Sequence, residues 1–205
     1  VVEQIGGRPR RVAVAIADTA AKVSLLPFEQ VPAQVRDLEQ LVRLQLRKSV
    51  PFPVEDAQVT WARGGEHAGF ITLVVTAMRR DLVEEYEQVC AEAGLQAGTI
   101  DLATFNVINL ASFGAQGTAL PGDSLLVHVT ATYASIAVLR DGALIFFRTR
   151  PHDAAEPVVD VVHQTRMFYE DRLAGQGFAR VLLVSGPDAP EREALARNLA
   201  GLFDT

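Results

Sequence analysis

Apolar residues in this chain come in short runs of strand length that alternate with helical patterns. The longest runs, at residues 71–77 and 125–129, are far shorter than the roughly 20 residues that a membrane-spanning helix needs. Two further runs flank Asp141-Gly142, a pair that tolerates the positive φ of a tight hairpin turn. Hairpins interleaved with helices predict an α/β fold, in which the hairpins feed a sheet and the helices cover its faces.

Composition narrows the class of protein. The chain has 205 residues, 49% hydrophobic and 21% charged, which is typical of a globular protein with a core of its own. Nineteen Lys and Arg against 25 Asp and Glu leave a net charge of −6, so we expect no nucleic-acid partner. Cys90 is the single cysteine, which excludes an intrachain disulfide and a cysteine-based metal site. We expect no metal site, no signal peptide and a reducing compartment.

The first half reads as a strand at 12–16, a turn at Asp18-Thr19 and a hairpin partner strand at 22–26. A helix is predicted from about residue 33 to 48, because its apolar residues recur at helical spacing, and Pro51 and Pro53 end it. Strands at 57–63 and 69–78 and a helix at 82–93 follow. Because the chain begins at Val1 and not at Met, we expect it to be a fragment of a longer protein.

The second half is separated by a stretch rich in Gly, residues 114–123, which follows a strand at 99–101 and a helix at 103–113. Strands are predicted at 125–129, 134–139 and 143–148. A helix at 158–173, a strand at 181–184 and a closing helix at 191–202 complete the pattern.

Several of these segments together resemble the type IV pilus assembly protein PilM family. The matching pieces, in family order, include Leu25-Leu26-Pro27, residues 48–56 (KSVPFPVED), Ile100-Asp101-Leu102, Asp141-Gly142 and Phe147-Arg148. Members of this family have the actin-like ATPase fold, and are related to FtsA and more distantly to the cytoplasmic part of GspL. The order and spacing of the pieces carry the resemblance, which covers most of the chain.

The resemblance implies an actin-like (ribonuclease H-like) fold of two lobes in reduced form. Residues 11–95 then form a strand-helix-strand-strand docking module with a flanking helix. Residues 96–123 form a connecting strand, helix and linker. Residues 124–205 form a reduced second lobe.

The nucleotide site that such a fold implies is degenerate here. The segment that resembles the family's second phosphate turn has His128 at the position of the family's Asp and Thr130 at that of its Gly. A carboxylate that helps to hold magnesium is thereby lost, and a β-carbon stands where a phosphate should approach. The vestigial pocket comprises Thr130 and Thr132 with Ser185 and Gly186 at the adenosine turn. We expect no catalysis and no cofactor.

A protein-binding surface is the other candidate site. The strand at 69–78 is apolar at consecutive positions, which is typical of a strand covered on both faces. One cover is the module's own helix, and the other is either the neighbouring lobe or a bound peptide. The predicted contact residues are Leu44, Val50, Phe52, Ile71, Leu73 and Val75. Arg140, Arg148 and Arg150 form a second candidate, a basic patch for a partner or an anion.

The resemblance therefore implies a non-catalytic cytoplasmic scaffold, peripheral to the inner membrane, of a type IV pilus or type II secretion assembly platform. Its expected partner is the cytoplasmic N-terminal tail of a PilN-like single-pass membrane protein, and membrane association is expected only through partners. The pilus assembly ATPase and a second copy of the chain are further candidate partners. The alternative is an ATP-binding actin-like protein, whose phosphate-binding N-terminal segment lies outside this fragment.

Overall fold

The computed structural model describes residues 10–67, 69–112, 121–153, 156–186 and 192–203. These residues form nine strands and five helices in a mixed α/β arrangement. In chain order they are β1 (Arg11–Ile16), β2 (Ala21–Phe28), α1 (Val35–Leu46), β3 (Ala57–His67), β4 (Phe70–Arg79), α2 (Arg80–Glu92), β5 (Gln96–Leu102), α3 (Ala103–Ser112), β6 (Asp123–Val129), β7 (Tyr133–Arg140), β8 (Ala143–Pro151), α4 (Val158–Arg172), β9 (Arg180–Ser185) and α5 (Arg192–Phe203).

Within the predicted docking module, β2, β4 and β3 form a three-stranded antiparallel sheet in the order β2-β4-β3, with α1 on one face. We call these strands and α1 the module. The apolar stripe of α1 supplies Leu38, Val42 and Leu46, which are buried against this face. Arg43 ties the helix to the chain that follows it, because its guanidinium donates to the backbone oxygen of Val54 at 2.8 Å. The predicted strand–helix–strand–strand order is present as β2-α1-β3-β4.

The central strand β4 is covered on both faces, as its apolar run predicts. Leu73 and Val75 lie on the face beneath α1. Val74 lies on the opposite face and packs with Phe105 of α3 and Phe147 of β8. The neighbouring part of the chain, and not a bound peptide, therefore supplies the second cover at the middle of β4.

The predicted hairpin between β1 and β2 is wrong. A short 3-10 turn at Asp18–Ala20 separates the two strands, and β1 pairs in parallel with β5 while β2 pairs with β4. The pairing with β4 runs the whole length of β2, from Ala21 opposite Met78 to Phe28 opposite Ile71. Sequence neighbours usually pair, but β2 gains a longer ladder from β4.

The second half of the chain forms a four-stranded sheet in the order β8-β7-β6-β9. The predicted hairpin at Asp141-Gly142 is confirmed, with φ of 50° and 82°, and it joins β7 to β8. Helices α4 and α5 pack on one face of this sheet, and α3 lies on the other. Tyr169 of α4 is buried there and donates a hydrogen bond of 2.6 Å to Asp123.

The predicted division into residues 11–95, 96–123 and 124–205 stays a prediction. Within it, β1 pairs with β5 of the connecting part, and β6 begins one residue early, at Asp123. Residues 113–120 of the predicted linker lie outside the described residues. Across the described ranges, no helix is both long enough and apolar enough to cross a membrane.

Candidate functional site

A groove runs between β5 and the far face of the module sheet. Its volume is about 220 Å³. The module supplies Gln58 and Thr60 of β3 with Thr76 and Met78 of β4. The other lining residues are Ile16, Ala21, Val83, Glu87 and the six consecutive residues 97–102 of β5. We call this the β5 groove.

Consecutive lining residues show that β5 presents an edge and not a face to the groove. Neighbouring side chains of a strand point to opposite faces, so only an edge exposes each residue in turn. Among the described strands, β5 pairs with β1 alone, which leaves its other side facing the groove. Backbone N–H and C=O groups on that side are available to an added strand.

The side chains of the groove combine apolar, hydroxyl and acidic groups. Met78 and Val83 provide apolar surface, and Thr60 lies opposite Thr76 on the paired strands β3 and β4. Glu87 and Asp101 contribute two carboxylates. Among the described residues, no Lys or Arg lines the groove, so the groove favours an extended peptide with apolar and cationic side chains.

The predicted partner residues lie on the α1 side of the module sheet, away from the groove. Leu73 and Val75 need correction: they are 3% and 0% exposed, and α1 covers them, so they offer no surface to a partner. Val50, Phe52 and Ile71 are partly buried against the same core. Leu44 is the exception at 60% exposure on the outer face of α1, and its role stays a prediction.

The predicted nucleotide residues meet at one end of the second sheet. Ser185 of β9 lies opposite Val129 of β6, and the N–H of Gly186 donates to the Val129 oxygen at 3.4 Å. Thr130 and Thr132 follow directly in the turn to β7. The four residues are therefore neighbours, and their role in nucleotide binding stays a prediction.

The backbone of this turn is hydrogen-bonded within the chain. The Thr130 hydroxyl accepts the N–H of Thr132 at 3.3 Å and of Tyr133 at 3.1 Å. His152 closes the other side: its Nε2 donates to the Thr130 oxygen at 2.8 Å, and its N–H donates to the Thr132 oxygen. Phosphate turns of actin-like proteins work by directing free N–H groups at the anion, and here two such donors are occupied.

A buried polar cluster lies where the two halves of the chain meet, and sequence reasoning missed it. Asp18 follows β1 and is fully buried. Its carboxylate accepts the N–H of Thr104 at 3.0 Å and the Thr104 hydroxyl, and it accepts the Ser135 hydroxyl at 2.6 Å. We call Asp18, Thr104, His128, Ser135 and Thr149 the Asp18 cluster.

Proton positions in the Asp18 cluster follow from its acceptors. Because the Thr104 hydroxyl donates to Asp18, His128 Nδ1, 2.7 Å away, must donate to Thr104. The Thr149 hydroxyl likewise donates to Ser135 at 2.8 Å. The Thr104 and Ser135 hydroxyls thus donate to the single carboxylate, while His128 and Thr149 donate to those two hydroxyls. The cluster in this way links the turn after β1 with α3, β6, β7 and β8.

The surroundings of His128 favour the neutral imidazole. Burial lowers the pKa of His128, and the nearby Asp18 carboxylate opposes that shift without reversing it. A neutral ring carries no charge to replace the metal-binding carboxylate that the family has at this position. Among the described residues, no three His, Cys, Asp or Glu side chains are grouped closely enough to hold a metal ion.

Comparisons of the sequence and of the structure with known proteins indicate the same family. The family model of type IV pilus assembly protein PilM matches residues 1–172. No curated protein matches the sequence. A solved PilM–PilN type IV pilus biogenesis complex contains a chain with 16% identity and a TM-score of 0.81, over 100% of this chain and 70% of that one.

Two further solved structures share the fold at lower similarity. A Bacteroides thetaiotaomicron protein with an actin-like ATPase fold and unknown function has 12% identity and a TM-score of 0.58, over 97% of this chain and 67% of that one. The cytoplasmic domain of EpsL, an inner-membrane component of the Vibrio cholerae type II secretion system, has 14% identity and a TM-score of 0.57. The match covers 93% of this chain and 66% of that one. The predicted actin-like fold is confirmed, and the chain belongs to the family of type IV pilus assembly protein PilM.

Proposed function

We propose that this chain is a non-catalytic scaffold of type IV pilus assembly that binds the N-terminal tail of a PilN-like partner in the β5 groove. The observation that carries the proposal is the unpaired edge of β5 along that groove. A similar fold occurs in a PilM–PilN complex, which supports a PilN-like partner.

Binding would use the backbone first and side chains second. An extended tail would add to β5 as a strand, and its N–H and C=O groups would pair with those of the free edge. Apolar side chains of the tail would then cover Met78 and Val83, each Å² of buried apolar surface contributing roughly 25 cal/mol. Ordering the tail costs part of that gain, so a groove of this size suits a reversible contact.

The proposed place of the scaffold is the cytoplasmic side of the inner membrane, held there through its partner. The fold similarity to the cytoplasmic domain of EpsL, from an inner-membrane component of a secretion system, supports this placement. From that position, the scaffold would connect the membrane platform to the assembly ATPase. Catalysis is not required for either contact.

The test is fluorescence anisotropy with a labelled peptide of the PilN-like protein's N-terminal tail. Thr60→Arg places a long cation in the groove at an exposed position of β3, so it should weaken binding about tenfold or more. Thr132→Arg makes the same change on an exposed turn outside the groove and should leave affinity unchanged. Equal affinities for Thr60→Arg and the unaltered chain would contradict the proposal.

The alternative of ATP binding has one observation in its favour, namely that Thr130, Thr132, Ser185 and Gly186 lie together. The hydrogen bonds that occupy the N–H groups of Thr132 and Tyr133 oppose it. Calorimetric titration with Mg-ATP separates the two functions. Micromolar nucleotide binding by this chain would support the alternative, and would contradict the interpretation of these residues as a vestigial pocket that no longer binds nucleotide.

A further inference from the structure

A second pocket, of about 460 Å³, lies between β2 and β8. Both strands are at the edge of their sheets in the described fold, β2 in the module and β8 in the second sheet. The pocket is lined by consecutive residues of each, 21–23 and 147–151, together with Asp18 and Thr19. We call it the basic pocket, because Lys and Arg side chains line it.

The lining of the basic pocket carries three cations, Lys22, Arg148 and Arg150. Of the residues that the structure describes, Asp18 is the one carboxylate in the lining; it is buried and already accepts hydrogen bonds from Thr104 and Ser135. The pocket is therefore net positive, in a chain whose net charge is −6. General surface charge does not account for such a concentration of cations.

The structure also separates this pocket from the basic patch that the sequence predicts. Arg140 is engaged elsewhere, because its guanidinium makes a two-pronged contact with Asp123. Lys22, which lies 126 positions before Arg148 in the chain, takes its place beside the other two cations. The pocket thus exists only in the folded chain.

The positive charges of the pocket are incompletely balanced by the protein itself. Arg148 donates to the Gln164 amide oxygen at 3.2 Å, and its distance to the Glu156 carboxylate is 4.0 Å. Burial and the neighbouring Arg150 together lower the pKa of the Arg148 guanidinium, and Glu156 opposes this shift without reversing it. Two like charges held this close favour an anion between or beside them.

Neutral donors complete the pocket. Thr19 and Thr149 contribute hydroxyls, and the two free strand edges direct alternate backbone N–H groups away from their own sheets. Arginine guanidinium groups bind phosphate through two parallel hydrogen bonds, and lysine adds a point charge. None of Thr130, Thr132, Ser185 and Gly186 lines this pocket, so it is distinct from the vestigial nucleotide residues.

From this arrangement we propose that the basic pocket binds a phosphate-bearing anion through Lys22, Arg148 and Arg150. The volume exceeds what one inorganic phosphate fills, so it admits a diphosphate or the headgroup of a phospholipid. The two sources share the same recognition chemistry, and experiment distinguishes them.

The experiment uses two probes on the same chain at low ionic strength, where such contacts are strongest. Pyrophosphate is titrated by calorimetry, and sedimentation measures binding to phosphatidylglycerol vesicles with phosphatidylcholine vesicles as the neutral reference. The pair Lys22→Gln and Arg150→Gln removes two exposed cations of the pocket. The pair Arg36→Gln and Lys48→Gln removes the same charge from exposed positions outside it, and circular dichroism verifies the fold of both.

We expect the pocket pair to weaken binding about tenfold, and the control pair to change it less than about twofold. Pyrophosphate binding with this pattern supports the proposal and identifies a free phosphate compound. Binding to phosphatidylglycerol vesicles alone, with the same pattern, supports it and identifies a lipid headgroup. Failure of the unaltered chain to bind either probe overturns the proposal, as does equal weakening by the two pairs.

Discussion

The β5 groove and the turn between β6 and β7 both place threonine side chains beside strand backbone, but they differ in whether the backbone hydrogen-bonding groups are occupied. In the turn, the Thr130 hydroxyl and His152 occupy backbone groups of residues 130–133. In the groove, one whole side of β5 has no strand paired to it within the described residues. Residue type alone therefore does not mark a binding site; the state of the backbone hydrogen-bonding groups does.

The difference has an energetic meaning. Hydrogen bonds within the turn stabilise the fold, and they leave fewer donors for an anion. The free edge of β5 contributes nothing to stability until another strand pairs with it, so its hydrogen bonds are available to a partner. Each region should therefore respond differently to the same substitution.

Asp18→Ala should have the largest effect, because Asp18 connects the two regions. It follows β1, the strand paired with β5 of the groove, and it binds Ser135 of β7, the strand that follows the turn. Removing the carboxylate leaves the Thr104 N–H and two hydroxyls without their buried acceptor, at a cost of about 3 kcal/mol in the free energy of unfolding. Urea unfolding measures it. Asp37→Ala, at an exposed carboxylate in the first turn of α1, should cost no more than about 0.5 kcal/mol. Similar losses for both would show that the Asp18 cluster does not join the two regions.

Thr130→Val and Thr60→Val make the same chemical change in the closed turn and in the groove. Thr130→Val removes the acceptor of two backbone N–H groups, so it should lower the free energy of unfolding by about 1.5 kcal/mol. Thr60→Val alters an exposed side chain of a strand and should change stability by less than about 0.5 kcal/mol. Thermal unfolding of the two variants side by side measures both. If Thr60→Val proves as costly as Thr130→Val, the distinction between a closed and an open region fails.

Glu87→Lys should weaken peptide binding about threefold, provided that the tail carries a cationic side chain near the rim of the groove. Glu87 is exposed on α2 and lines the groove, so its charge acts at the rim and is screened by salt. Glu84→Lys makes the same reversal on the same helix outside the groove. Anisotropy titrations at two salt concentrations measure the effect. Equal weakening by the two variants would indicate a general charge effect and not a contact in the groove.

Local features of this fold were predictable from the sequence. Helical spacing predicted α1, and the Asp141-Gly142 pair predicted the hairpin between β7 and β8, because each depends on residues within a few positions of one another. The apolar run of β4 predicted a strand covered on both faces. The run did not indicate which face of β4 the helix α1 covers. Leu73 and Val75 were therefore predicted to contact a partner, although they are buried under α1.

Long-range features were not predictable in the same way. The hydrogen bonds of Asp18 reach residues 86 and 117 positions along the chain, and no spacing rule connects such positions. The parallel pairing of β1 with β5 also joins distant residues, because the whole module and α2 lie between the two strands in the chain. An aspartate two residues after an apolar strand is the one local signal for the Asp18 cluster, and it equally fits an ordinary turn.

The smallest expected effect is a dependence of stability on pH through His128, at the boundary between the two regions. Its pKa is lower in the folded chain than the usual value of about 6.5, since burial disfavours the charged ring. Above that value both states are neutral. As pH falls below it, the unfolded chain binds the proton first, so stability declines toward the lower folded pKa. Urea unfolding between pH 8 and about pH 5 measures this decline, before carboxylates begin to protonate.

His128→Asn sharpens the test, because the amide keeps a donor near Thr104 but does not titrate. The variant should lose less stability than the unaltered chain across this range, while His163→Asn, at an exposed position of α4, should follow the unaltered chain. Asp123 affects the pH dependence of stability in a separate, more acidic pH range. Burial favours its neutral form, but the hydrogen bonds from Arg140 and Tyr169 outweigh burial and hold its pKa below the usual value near 4, so its contribution is lost only at lower pH. A decline that His128→Asn leaves unaltered would mean that folding does not lower the pKa of His128, and would contradict the inference that burial disfavours the charged ring.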